Sequence, residues 1–380
     1  MAVGAYFVYL NVYYRQVGLT GTQIGIIAMS SSIIAVVSAL AWGYISDRTG
    51  QPRLLMAFGA AGAGFLAQFV PLAHSFLDFY ALACLSSLLF SPLFTLMDGI
   101  TLVMLGSKSE NYGSFRLGGS IGYILSAGIS GFVYSRTSLM MIFPAYGVLM
   151  CLFAAIALLL PDIPVRIEAR SDAQPGMIVR QPAWIIFAAC VFLIWVANYA
   201  IMTYMGVSLM SMGGDERLVG LAATTSALVE IPFMAFSGWL IKRFGLTRLM
   251  VLAMLLMAIR YALLGWMPDP NWAIYINLLN GPAFGLFAPC AVAYAKKLAP
   301  PALTATAQGL LNSTASLAGV VSAILTGVLF DQIGPKGIFV GMAICCAAAI
   351  ALFSVGAMRF QSLRAVQEAV QMPIKTNAAG

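Results

Sequence analysis

Charge is what this sequence has least of. Lys, Arg, Asp and Glu together make up 9% of its 380 residues, where a soluble domain carries roughly 25%. With 61% hydrophobic residues and a mean hydropathy of +0.92, the chain would expose far too much apolar surface in water. A water-soluble globular fold is excluded, and lipid is the expected solvent. Histidine is nearly absent: the single one, His74, falls in a short polar turn, so a histidine relay inside a membrane is excluded too. The six cysteines (Cys84, Cys151, Cys190, Cys290, Cys345, Cys346) lie in apolar stretches without metal-ligand spacing and are read as small packing residues. No phosphate loop, nucleophile motif or metal cluster is visible, so neither ATP hydrolysis nor an intramembrane enzyme is expected, and no cofactor is implied. The net charge of +7 is scattered over short loops with no basic tract, which argues against nucleic acid.

What is present is a series of long apolar runs. A spanning helix needs about 20 apolar residues, and only helices or a closed β-barrel satisfy the backbone in lipid. The runs lack dyad alternation, so an all-α membrane protein with twelve transmembrane helices is expected. Polar, Gly, Pro and charged breaks place the spans near 1–14, 23–46, 54–73, 79–104, 115–134, 139–160, 183–211, 218–241, 249–267, 272–295, 305–330 and 337–358. The segment 161–182, polar and rich in proline, reads as a cytoplasmic linker between a six-helix bundle at 1–160 and another at 183–358. Residues 359–380 read as a cytoplasmic tail.

The two bundles repeat each other. An offset of 195 carries Gly25 onto Gly220, Gly43 onto Gly238, Arg48 onto Arg243, Gly50 onto Gly245 and Arg53 onto Arg248. An offset of 196 carries Gly131 onto Gly327. Pseudo-symmetric halves of this kind place a substrate site at the midplane between them. By the same offset the first span is expected to begin about a dozen residues before Met1, so it is read as truncated. With twelve spans, one side receives fourteen of the Lys and Arg residues in loops and tails. The other receives Arg15, Arg136, Arg217 and Lys336. The positive-inside rule then places the linker and both termini in the cytoplasm of a multi-pass inner-membrane protein.

Of 20 basic and 13 acidic side chains, only Asp98, Arg116, Glu230 and Arg260 fall inside spans. Each costs roughly 2.5–3.5 kcal/mol at a helix centre and should face a partner or a wet cavity. Two readings are open: a pair of structural salt bridges, or a substrate and proton site. Carboxyls in low dielectric can exchange protons near neutral pH, and a guanidinium fork suits a carboxylate or paired hydroxyls. Glu230, followed closely by Pro232, is the first choice for the protonatable group. A second constellation is the loop Gly43-Tyr-Ile-Ser-Asp47-Arg48-Thr-Gly50-Gln-Pro-Arg53, repeated as Gly238-Trp-Leu-Ile-Lys242-Arg243-Phe-Gly245-Leu-Thr-Arg248. Glycines allow a tight turn there, and Asp47 can sit against a neighbouring helix dipole to gate one face.

This duplicated loop resembles the hallmark of the major facilitator superfamily, over essentially the whole chain. Gly18-Leu-Thr-Gly-Thr-Gln-Ile-Gly25, Ser91-Pro92 leading to Asp98, Tyr112 to Gly122, and Ala299 to Gln308 are similar to the oligosaccharide/proton symporters of the lactose permease type and the phenylpropionate-permease-like group. The resemblance implies sugar-hydroxyl binding by Asp98 and Arg116 and proton coupling by Glu230 and Arg260. The sequence departs from the group on span ten, where Asn280 and Ala288 stand at the usual histidine positions and Ala283 at that of an acid. Asn280 and Asn312, the repeat counterpart of Arg116, join the substrate candidates. Asn11, Gln68, Asn198, Tyr199, Tyr204, Asn277 and Gln308 either line a cavity or make helix–helix hydrogen bonds. The expected function is secondary active transport by a monomer: proton-coupled symport of a small polar or anionic organic solute. An efflux antiporter is the alternative, although the Gly-Pro element of drug/proton antiporters is missing from span five. A transport-dead receptor would need a longer signalling tail.

Overall fold

The computed structural model of the protein describes residues 1–105, 112–160, 176–300 and 303–371. The side chains of 102, 112–116, 176, 177, 305 and 357–371 also lie outside the described set. Every regular element among the described residues is helical. They run α1 (Ala2–Gln16), α2 (Gly21–Thr49), α3 (Pro52–Ala67), α4 (Phe76–Phe90), α5 (Pro92–Leu105), α6 (Tyr112–Arg136) and α7 (Ile142–Leu158). After a single turn, α8 (Gly176–Val179), come α9 (Pro182–Ser211), α10 (Glu216–Phe244), α11 (Leu246–Trp266), α12 (Trp272–Ile276), α13 (Leu286–Leu298) and α14 (Thr304–Gln371).

Local chemistry marks where these helices start and stop. A capping box opens α2, with the Thr20 hydroxyl accepting from the Gln23 N–H and the Gln23 side chain accepting from the Thr20 N–H. Ser75 and Asp78 do the same for α4, and Asp215 caps α10. Gly50, at φ 65°, ends α2 in the left-handed region, and Pro52 then starts α3 where a missing N–H costs nothing.

Among the described residues, ten helical stretches are long and apolar enough to cross a membrane. One of them, Thr306–Gly356, runs 51 residues, far beyond the about 20 that a crossing needs. It is interrupted at Gly334, whose φ of 71° and ψ of −176° leave the helical region just before Pro335. At 15 residues α1 is too short to count among the ten. Large apolar side chains such as Leu40, Phe58, Ile129 and Val148 lie exposed on the outer faces of the spans, as lipid-facing residues should.

Before the linker, α3 packs on α7 and α4, and α1 on α6 and α7; after it, α9 and α11 pack on α14. The main contacts that join the two sets are α2 with α14, α6 with α10, and α1 with both α9 and α10. The first two are built from small residues, the device by which backbones approach in lipid. A Cβ added at Gly21 would stand 2.9 Å from the Gly327 carbonyl oxygen, and one at Gly25 would strike the Ala323 carbonyl. In the repeat-related contact, a Cβ at Gly220 would stand 2.6 Å from the Ala127 carbonyl oxygen and 3.2 Å from the Gly131 Cα. Both approaches lie toward the end of the molecule away from the linker.

Candidate functional site

Between Trp272 and Leu298 the backbone is irregular. A 3-10 turn at Asn277–Leu279 and a π-helical turn at Gly281–Gly285 separate α12 from α13, the kind of bulge that often marks functional sites. Gly281 lets this segment press on α10, where a Cβ would strike the Val229 carbonyl. The approach brings the side chains of Asn277 and Asn280 between α10 and α11.

There they meet Arg260, which is 2% exposed. Its Nε and Nη2 donate to Asn277 Oδ1 at 3.2 and 2.7 Å, and its Nη1 donates to Asn280 Oδ1 at 2.7 Å. Asn277 Nδ2 donates to the Ala222 carbonyl at 3.1 Å; Asn280 Nδ2 reaches the Ser226 carbonyl at 3.3 Å and Glu230 Oε2 at 3.2 Å. An arginine only donates, so each amide must turn its oxygen to the guanidinium and its nitrogen away. Asn280 therefore stands between Arg260 and Glu230, and among the described residues no direct ion pair joins the two. An amide does not titrate, so this link holds Glu230 in place without carrying a proton itself.

Glu230 also borders a cavity of about 820 Å³, whose wall includes Asp98, Thr101, Ser120 and Tyr123 with Phe90, Phe94, Phe153 and four methionines. Its size suits a small organic molecule. The lining comes from the start of α1 and from α4 to α7 on one side of the linker, and from α10 on the other. Most of these residues lie in the middle of their helices or toward the linker end.

The other expected residues are placed as follows. The side chain of Arg116 lies outside the described residues. Asn280 is 4% exposed and occupied by its protein partners, and Asn312 is exposed on α14 outside the lining of the cavity. In the loop after α2, Gly43 is buried, Arg53 is half-buried, and Asp47 is exposed and makes no hydrogen bond among the described residues. Arg48 lies over the Tyr44 ring at 5.9 Å. In the repeated loop, Gly238 and Arg248 are exposed, Arg243 stacks on Trp239 at 5.2 Å, and Gly245 ends α10 at φ 85°. Several polar span residues make helix–helix hydrogen bonds: Asn11 to the Thr203 carbonyl at 3.0 Å, Gln68 to that of Phe143 at 2.8 Å, and Tyr204 to that of Gly21 at 2.8 Å.

One contact escaped sequence reasoning. At the end away from the linker, the Asp331 carboxylate on α14 accepts from the Gly21 N–H, the Thr22 N–H and the Thr22 hydroxyl, each at 2.7 Å. Those are the first free donors of α2, and the capping box takes the next. The signal was available in principle, since Asp331 is an acid at the head of a short polar break, but no spacing pairs it with a helix start 310 residues away.

Apolar helices wrapped around a largely apolar cavity that carries two carboxyls, with the two sets of helices in close contact at one end of the molecule, define a helical membrane transporter. Residues 1–341 match the MFS_1 like family, and the chain belongs to that family of the major facilitator superfamily. It is 30% identical to a maltose permease of Geobacillus stearothermophilus over 90% of its own length and 88% of that protein. A sugar efflux transporter A of Dickeya chrysanthemi is 26% identical over 64% of this chain and 60% of its own. The fold matches a crystal structure of the nucleoside transporter NupG (D323A mutant) with a TM-score of 0.82 at 17% identity, covering 93% of this chain and 96% of that one. These relatives and neighbours are transporters, not enzymes.

Proposed function

We propose that the protein is a proton-coupled secondary transporter that moves a small polar organic solute by alternating access. The observation that carries this reading is that Asp98 and Glu230, carboxyls from opposite sides of the linker, border one cavity, with Glu230 tethered through Asn280 to Arg260. Twelve crossings follow if the break at Gly334 divides α14 into two and α1 provides the twelfth. The two six-helix halves are then 1–160 and 183–358, and the excess of Lys and Arg places the linker and termini in the cytoplasm of the inner membrane. On that orientation the closed end faces outward, so the arrangement is inward-open. The exposed Asp47 and the two loops around Gly50 and Gly245 then belong to the parted gate.

Glu230 is the proton carrier in this reading. It keeps the Asn280 hydrogen bond whether charged or neutral, because one oxygen can accept in either form. The proton on the other oxygen can then point into the cavity. Arg116 stands four residues before Ser120 and seven before Tyr123 on α6, the spacing of one helical face, which fits a substrate role beside Asp98. Rings and methionines beside carboxyls and hydroxyls suit a partly apolar solute bearing hydroxyls, in line with the sugar and nucleoside relatives. An anion fits less well, because the charged groups described in the wall are both acids. The protein acts as a monomer. Export is the alternative direction, favoured by the likeness to a sugar efflux transporter.

The test is Glu230→Gln in proteoliposomes. Uphill, proton-driven accumulation should vanish while substrate binding and counterflow exchange persist, since exchange needs no deprotonation. Loss of binding as well would make Glu230 a substrate ligand. Undiminished accumulation would move the proton elsewhere. Inverted vesicles with an imposed gradient distinguish import from export.

A further inference from the structure

A second concavity lies on the outer face of the α6–α10 contact. It is a groove of about 430 Å³ walled by Leu125, Ile129, Phe132 and Val133 of α6 and by Leu221 of α10, with Arg136 at its end. These apolar residues of α6 are exposed, Ile129 at 62%, so the groove faces lipid. Its floor is already satisfied: Gly128 lets Thr224 in close, and the Thr224 hydroxyl donates to the Ile124 carbonyl at 3.2 Å. From Ile124 to Arg136 is about 18 Å of helix at 1.5 Å per residue, slightly more than half the about 30 Å hydrocarbon core. The groove is one leaflet deep.

Its mouth is unusual. Phe132 carries two guanidiniums on one ring, Arg217 at 4.5 Å from the centroid and Arg136 at 5.5 Å. Neither makes a hydrogen bond or ion pair among the described residues. Two like charges gathered on one ring repel each other, and they stand where an apolar channel meets the headgroup region. These are two of only four basic residues on this side of the protein, so the pairing is not a by-product of a general positive surface. An anion held between them would relieve the repulsion, and an acyl chain attached to that anion would fill the groove.

We propose that this groove binds an anionic phospholipid of the leaflet at the end away from the linker. Its phosphate sits between Arg136 and Arg217, and one acyl chain lies along Leu125, Ile129 and Val133. The lipid touches both α6 and α10, so it reinforces the contact made at Gly131 and Gly220. The inference requires only that the protein sits in a bilayer, and it stands apart from the substrate and the proton.

The experiment compares thermal unfolding and native mass spectra of the purified full chain with phosphatidylglycerol, with phosphatidylcholine of the same acyl chains, and with inorganic phosphate. Phosphatidylglycerol should remain bound and raise the unfolding temperature, and phosphatidylcholine and phosphate should not. Arg136→Gln with Arg217→Gln should weaken phosphatidylglycerol binding about 30-fold, and either single change roughly five-fold. Ile129→Trp, which plugs the groove and leaves both charges, should also lower it. If the double variant does not fold, the single Arg136→Gln decides the matter. Equal stabilisation by both lipids, an equal effect of inorganic phosphate, or unchanged phosphatidylglycerol binding in the arginine variants would overturn the proposal.

Discussion

Replacing Asp331 with Ala should loosen the end away from the linker, which the proposed orientation makes the outer end, without unfolding the protein. The carboxylate accepts three hydrogen bonds of 2.7 Å from Gly21 and Thr22, and it belongs to a helix that the repeat assigns to the other half. The start of α2 keeps its own capping box, so the helix itself persists. The loss falls on the contact between α2 and α14. Charge-assisted bonds of this kind are worth about 1.5–3 kcal/mol each when buried, but Asp331 is exposed and water will replace much of that. The scale of a lost helix cap, about 0.5–2 kcal/mol, is the better guide. Taking 1–2 kcal/mol as the working range, the ratio of closed to open outer ends should fall roughly five- to 30-fold. Spin labels at Val17 and Ile333, both exposed near this end at 42% and 54%, would read the change as a longer distance component. The six native cysteines are replaced beforehand. Raising the salt to 0.5 M should shift the wild type the same way, though less, because exposed charges are screened. An unchanged distance distribution in the Ala variant would show that the glycine packing alone closes this end.

Three further outcomes follow from the same geometry. Asn280→Leu removes the link between Arg260 and Glu230 and leaves a buried guanidinium nitrogen without its acceptor, so unfolding stability should drop by about 3 kcal/mol; an unaltered melting curve would count against this tether. Gly220→Leu places a side chain against the Ala127 carbonyl and should prop the outer end open, giving faster alkylation of a cysteine placed there and loss of transport; normal labelling would mean the approach is not needed for closure. Arg116→Lys keeps charge but loses the planar fork, so substrate binding should fall steeply, and normal binding by Asp98→Asn with Arg116→Gln would reduce that pair to a structural role.

Composition and local pattern alone determined the solvent and the element type. With 9% charge the chain has no alternative to lipid, and the length of each apolar run sets a helix because the backbone must satisfy itself. The break expected between residues 330 and 337 falls at Gly334, and Gly50 and Gly245, expected to allow tight turns, end α2 and α10. The rarity of charge inside spans singled out Glu230, Arg260 and Asp98 before any coordinates, since each must find a partner or water. Tertiary structure decided how these groups combine. Glu230 and Arg260 meet through Asn280, because Gly281 lets the irregular segment at 277–285 press on α10 and so sets that amide between them, and no periodicity read from sequence foresees a π turn. Gly25 and Gly220 stood out in the sequence as repeat markers, but which carbonyl each faces depends on how whole helices cross. Asp331 capping a helix 310 positions earlier and two arginines sharing the Phe132 ring are likewise products of that crossing. Helix propensity and hydropathy act over a few residues; these contacts exist only where helices distant in sequence cross closely, at glycines whose added Cβ would meet the neighbouring backbone.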